Sequence, residues 1–508
     1  MEYRRARKRR ATRAVRRLVA FFSVGFAFLL AAAVMATTVG DAVTRQGSVR
    51  YQLSYHTVVK RGPEPGRPKP SRPTAAKHHA RRQSATTTRA MRATTRPLPT
   101  RPVWRVAWGS AMAWGNGTAY DTTVRELATV GVGGEAVRVR ISNVFGNGPM
   151  VIGAATVGLA TAGPVIEPGT LRPLKFKGHI GVSVPAGRYI YSDPVAMSVS
   201  DQQTLAVNVF VSNADLVSVH PCCTTMKPVS YFAPNGGGNL TSSLDGAALT
   251  LSSQFPRWVD AVDVLQTTGR GSIVVVGDSI TDGYNSTLTW TSVLQRRVDA
   301  MPRSEQRAIV NEGITANALT SDVPTDDNKG GGPSGLSRLA RDALQQSGVS
   351  EVVLFLGTND LWFGDTAQEL ITGYRQAIAA VHAARLPIVG ATMLPRSPGV
   401  WAWSPAQQAE LEQVDRWVLT SGAFNGVMDL ASAVADVYDG ACSPPRLFPL
   451  YDSGDHLHPD AAGQTAMANA VSPSVLGLPP LPKVPALVPV TPTAGCAVGS
   501  HASVRVRG

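Results

Sequence analysis

The sequence contains no phosphate-binding loop and no cluster of histidines and cysteines at metal-ligand spacing. Those two absences count against a phosphoester hydrolase and give no reason to expect a metal or any other cofactor. Charged residues are also few, 17% against 44% hydrophobic, which is the balance of a globular protein. Positive charge is scarce where a fold would need it to hold nucleic acid. The net charge is +14, yet residues 1–17 carry +8 and residues 40–102 carry +12, leaving −6 for residues 103–508. The basic balance belongs to the N-terminal segments, and nucleic acid is not an expected partner.

Long apolar runs are missing too, with one exception. Residues 18–39, "LVAFFSVGFAFLLAAAVMATTV", hold twenty-two residues without a charge behind the basic segment 1–17. Such a run is expected to be a membrane anchor with its N-terminus inside, or an export signal cleaved near Val34-Met35-Ala36, with a cytosolic core helix as the remaining reading. Either of the two favoured readings places the bulk of the chain outside the cell membrane, as a membrane-held or a secreted protein. The four cysteines, Cys222, Cys223, Cys442 and Cys496, suit that compartment. Three pairings are open, and free thiols are a fourth possibility. A Cys442–Cys496 bond would staple the tail to the end of the second domain.

Four further divisions follow from composition. Residues 40–102 are a linker rich in Pro, Arg and Thr that buries too little to offset ordering entropy. Residues 103–257 read as all-β. Val137, Val139 and Ile141 alternate with Arg138 and Arg140, and Leu174 and Phe176 alternate with Lys175 and Lys177. Val207, Val209 and Val211 repeat the pattern. Period two between Gly, Pro and Asn turns predicts strands with one buried face, most simply a sandwich. His220 stands beside the cysteine pair, but Pro-Cys-Cys-Thr has no metal-ligand spacing.

From residue 268 to 476 short apolar strands alternate with helices. The strand candidates are 272–276, 308–311, 352–357, 387–393 and 426–429. Leu370, Ile371, Tyr374, Ala377, Ile378 and Val381 form one helical stripe. Ser404, Pro405 and Gln407 open a helix with a capping box. Alternating β and α predicts a parallel sheet covered by helices. Residues 477–508 are a Pro-rich tail.

In such a sheet, sites form at the carboxyl ends of strands. Three of those ends carry polar residues: Gly277-Asp278-Ser279, Gly313 in "VNEGITAN", and Asn359 in "LGTND". A fourth element, "DSGDHLHPD", sets Asp455 three residues before His458. Singly, Ser279 reads as a helix cap, Asn359 as a turn residue and the Asp–His pair as a surface turn. Together they make an acyl-transfer set. His458 would take the proton of Ser279, and Asp455 would orient the imidazole. The N–H groups of Ser279 and Gly313 and the amide of Asn359 would hold the oxyanion.

Gly277-Asp278-Ser279, Gly313, Gly357-x-Asn359-Asp360 and Asp455-x-x-His458-Pro459 resemble, in order and spacing, the four blocks of the SGNH/GDSL hydrolases. With the preceding β domain, the chain looks like a two-domain secreted actinobacterial subgroup. The resemblance implies a flavodoxin-like three-layer α/β/α fold and a Ser279–His458–Asp455 triad. It also implies Gly313 and Asn359 as oxyanion partners, with Asp278 in support, and ester hydrolysis without a cofactor. Two positions depart from it. Ala316 stands where many relatives have glycine, and is expected to narrow that loop. His456 stands where glycine is frequent, beside the catalytic turn. Asp429, at the end of the last strand, is expected to be a structural acceptor. The expected substrate is a carboxylic ester, with short acyl or acetyl groups on envelope glycans or lipids. The rival is a surface binding protein whose hydrolase domain is inactive.

Overall fold

The computed structural model describes residues 101–220, 228–326, 330–436 and 445–486. The basic segment, the apolar run 18–39, nearly all of the linker, the four cysteines and most of the tail lie outside the described residues. No helix among the described residues is long and apolar enough to cross a membrane.

The first part is two antiparallel sheets. One runs in the order Val103–Gly109, Val259–Gln266, Gly134–Asn143, Arg188–Tyr191, and Val195–Val199 also pairs with Gly134–Asn143. The other is built around Ala119–Thr129, Thr204–Ala214 and Met150–Leu159. The strand Val259–Gln266 carries the β region past residue 257.

Val137, Val139, Ile141, Val207, Val209 and Val211 are buried, as the alternation predicts. The opposite face of the first sheet is not wet, however. Arg140 and Asp260 pair there at 2.6 Å with side chains only 1% and 2% exposed. Arg138 donates to Asp263 at 2.9 Å and to the Ser347 hydroxyl at 2.8 Å, and Arg140 reaches the Arg341 carbonyl at 3.5 Å. The expectation of one buried face is corrected here, because residues around 341–347 cover the other. Local alternation carries no trace of a cover supplied two hundred residues later.

This pair allows a prediction. Arg140→Met leaves Asp260 buried and unpaired, which costs about 3–5 kcal/mol. Arg140→Met combined with Asp260→Leu is expected to recover most of it. Urea unfolding midpoints check this, and an unchanged midpoint for the single variant would count against the pairing as described.

The chain crosses from the β region to the next sheet in residues 267–271, where Gly269 and Gly271 take positive φ. That sheet is parallel throughout. Its order is Ala308–Gly313, Ser272–Gly277, Val349–Phe355, Ile388–Ala391, Gly426–Met428. Alternate residues feed two cores. Val274, Val276, Val352 and Leu354 pack with the helix Ala367–Ala383 and with the β-region core. Ile273, Val275, Val353 and Phe355 pack with the helices Trp290–Asp299 and Ala461–Ala470. Burial on both faces is why these strands read as unbroken apolar runs. The predicted stripe from Leu370 to Val381 is buried, and Ser404 and Gln407 form the expected capping box.

Candidate active site

The strand Ser272–Gly277 ends on Asp278, which caps the four-residue helix Ser279–Asp282 by accepting from the Ile280 N–H at 3.0 Å. Ser279 is therefore the first residue of a helix, where backbone N–H groups have no intrahelical partner. Its Oγ lies 2.8 Å from His458 Nε2. His458 Nδ1 lies 2.6 Å from Asp455 Oδ2. A carboxylate only accepts, so Nδ1 carries the hydrogen and Nε2 is left to accept from the serine hydroxyl. The three predicted residues are together, in the order a serine nucleophile needs.

The turn that presents His458 is held from several sides. Asp455 Oδ1 accepts from the N–H groups of Leu457 and His458, at 3.0 and 2.8 Å. Asp460 caps the following helix Ala461–Ala470. Burial pushes the Asp455 carboxyl up, but its hydrogen bonds from the His458 ring and backbone and from Leu457, with the imidazole charge, outweigh that. They hold it well below the usual carboxylate range. Asp278 goes the other way. Complete burial lifts it to about 7, against the opposing Ile280 N–H and the Arg396 charge.

Of the three expected oxyanion donors, one does not fit. The Gly313 N–H donates to Asn311 Oδ1 at 2.9 Å, and a Cβ on Gly313 would sit 2.5 Å from the Asp282 nitrogen. Gly313 is a close-packing glycine, with its donor already used. Three residues on, Ala316 has φ +61, and among the described residues its N–H has no hydrogen-bond partner. That left-handed turn is where glycine would be at ease, so the alanine found there carries backbone strain. Ala316→Gly is therefore expected to raise stability by up to about 1 kcal/mol, with activity kept. Thermal unfolding beside ester turnover checks it. Asn359 Nδ2 donates to the Asn317 carbonyl at 2.9 Å, which leaves its second amide hydrogen for a ligand.

Other sequence candidates resolve differently. His456 and His458 do not share a ligand position: His456 Nδ1 pairs with Asp452 at 2.8 Å, and its backbone has φ +67. Among the described residues no three His, Cys, Asp or Glu side chains group as for a metal ion. Asp429 caps the helix Leu430–Val434 and accepts from Thr392 Oγ1.

Three contributors escaped the sequence reading. Asn285, at φ +58, donates to Asp455 Oδ2 at 2.9 Å. The Tyr284 ring lies 4.8 Å from the His458 ring, centroid to centroid. Arg396 is buried against the Trp403 and Trp362 rings and donates to the carbonyl and hydroxyl of Thr358, the residue before Asn359. Burial lowers its guanidinium to about 9, opposed by Asp278 and Asp455. Only the Tyr-Asn pair after the nucleophile helix could have hinted at any of these.

The sequence pattern of GDSL-like lipases and acylhydrolases matches residues 275–466, the stretch that holds the serine, the histidine and the aspartate. This part of the chain belongs to that family. It is a carboxylic ester hydrolase domain. Among solved structures, the aryl esterase of M. smegmatis is 18% identical and is covered in full by 41% of this chain, with a TM-score of 0.32. The acetylxylan esterase Axe2 of Geobacillus stearothermophilus is 17% identical over 93% of its length and 40% of this chain, with a TM-score of 0.31. A GDSL-like lipase of Bacteroides thetaiotaomicron is 15% identical over 88% of its length and 41% of this chain, also at 0.31. No curated protein matches the chain.

Proposed function

We propose that this GDSL domain is an extracytoplasmic serine esterase acting by a Ser279–His458–Asp455 acyl-enzyme mechanism. The observation that carries the reading is the relay of 2.8 and 2.6 Å from Ser279 Oγ through His458 to Asp455. With Nδ1–H fixed on Asp455, Nε2 accepts the serine proton as Oγ attacks the ester carbonyl. The new imidazolium faces a carboxylate held in its charged form. The carbonyl oxygen, now negative, is taken by the N–H groups of Ser279 and Ala316 and the free amide hydrogen of Asn359. His458 then returns the proton to the leaving alcohol, and Ser279 keeps the acyl group. Water, deprotonated by His458, attacks the acyl-enzyme and releases the acid.

Short acyl or acetyl groups on cell-envelope glycans or lipids are the proposed substrates. The support is the basic segment and apolar run ahead of the catalytic part, the pattern of an anchor or an export signal. The test uses p-nitrophenyl acetate, butyrate and palmitate, with an alkyl phosphonate as a covalent probe. Turnover of the short esters, and a phosphonate adduct on the Ser279 peptide by mass spectrometry, are the expected results. Absence of both would favour the surface binding protein.

A further inference from the structure

Besides the arginine contacts to residues 341–347, the β region reaches the nucleophile helix through a buried histidine. His220 Nδ1 lies 2.7 Å from the Ala111 carbonyl, and its Nε2 lies 3.2 Å from Asp282 Oδ1. Ala111 and His220 both belong to the β region. Asp282 is the last residue of the helix that Ser279 begins. Its other oxygen, Oδ2, accepts from the Thr315 N–H at 3.1 Å and from Thr315 Oγ1 at 2.6 Å. Thr315 directly precedes Ala316.

The hydrogen bonds count protons. A carbonyl oxygen only accepts, so Nδ1 must carry a hydrogen. A carboxylate also only accepts, so a second proton must lie between Nε2 and Asp282. The simplest state that satisfies both is an imidazolium against a carboxylate, paired inside the protein. Such a pair is costly to bury unless its geometry is closed on every side, and this one spans two layers of the fold. It ends on a carboxylate that ties the nucleophile helix to the turn carrying the Ala316 N–H.

We propose that His220 is a positioning residue for ester hydrolysis: clamped by Ala111, its imidazolium fixes Asp282, and Asp282 fixes the Thr315–Ala316 turn relative to Ser279. The inference rests on the serine-esterase reading for its kinetic consequence. On it, the β region contributes to the active site and is more than a cover. A donor displaced by a fraction of an ångström loses hold of the oxyanion while substrate binding is little changed.

The experiment compares the full chain with His220→Gln, His220→Phe and Thr315→Val. His220→Gln is expected to lower kcat about 10- to 100-fold with KM within about twofold, and His220→Phe to lower it further. Thr315→Val, which removes only a hydroxyl from Asp282, is expected to lower kcat about threefold to tenfold, and in combination with His220→Gln to add less than its separate effect. Unchanged kcat in His220→Gln, or full additivity of the pair, overturns the proposal. If His220→Gln does not fold, Thr315→Val decides: unchanged kcat there is equally fatal. Nitrogen-15 spectra of histidine-labelled protein supply an independent reading, with both His220 nitrogens protonated at pH 7 as the expected result. If the unaltered chain turns over no ester that Ser279→Ala abolishes, the esterase reading fails. The clamp is then judged on the spectra, and a neutral His220 ring overturns it.

Discussion

Replacing Ser279 with alanine is expected to cut kcat for p-nitrophenyl acetate by at least about 10⁴-fold, leaving KM within a few-fold. The loss is large because the covalent route disappears entirely, and what remains is catalysis by the oxyanion donors on a water attack. The fold should not register the change. Ser279 caps nothing with its side chain, since Asp278 does that work, and among the described residues its hydroxyl bonds only His458. A far-ultraviolet spectrum and melting temperature equal to those of the parent are the control. Residual activity within tenfold of the parent would mean that another group carries the chemistry.

The second large effect is expected for Asp455→Asn, a loss of about 10³–10⁴-fold in kcat. An amide in place of Oδ2 can no longer serve both the Nδ1–H of His458 and the Nδ2–H of Asn285. The imidazole is then free to put its hydrogen on Nε2, facing the serine, where it blocks proton transfer. Stability should change as well, and its sign follows from the lowered carboxyl. A carboxyl whose folded value lies below its unfolded value of about 3.9 binds fewer protons when folded. Its contribution is complete above the unfolded value and is lost as pH falls through the folded one. The parent should therefore lose stability on acidification below about pH 4 faster than Asp455→Asn. Urea midpoints at pH 7, 4 and 3 measure this. Parallel curves would mean that the carboxyl is not held as its hydrogen bonds indicate.

That Ser279, His458 and Asp455 would come together was legible in the sequence because each sits in a local pattern that fixes its position. A strand into Gly277-Asp278-Ser279 leaves the serine at a helix start, and three residues from Asp455 to His458 allow one turn to hold both. The parallel sheet was legible from apolar runs, for the same local reason. What failed was whatever depends on backbone sign or on distant cover. Gly313 looked like the donor because it is a glycine after a strand, yet the turn that leaves an N–H free is at Ala316, whose φ no alanine reveals. Arg140 looked like a surface residue because it alternates with valines, yet it meets Asp260 under a layer that belongs to another part of the chain. His220 offered only the neighbouring cysteines, and its actual partner lies 62 positions away.

The short crossing at residues 267–271 has a bearing on how the enzyme can work. A hinge needs slack chain and a slippery contact between the bodies it joins. Here five residues connect two layers that share one apolar core and a lattice of buried arginines and acids. No cleft can yawn open between them, so an ester substrate must be presented to a mouth already in its final shape. Selectivity would then be enforced at the rim, by what can lie down across it, rather than by any closing of jaws.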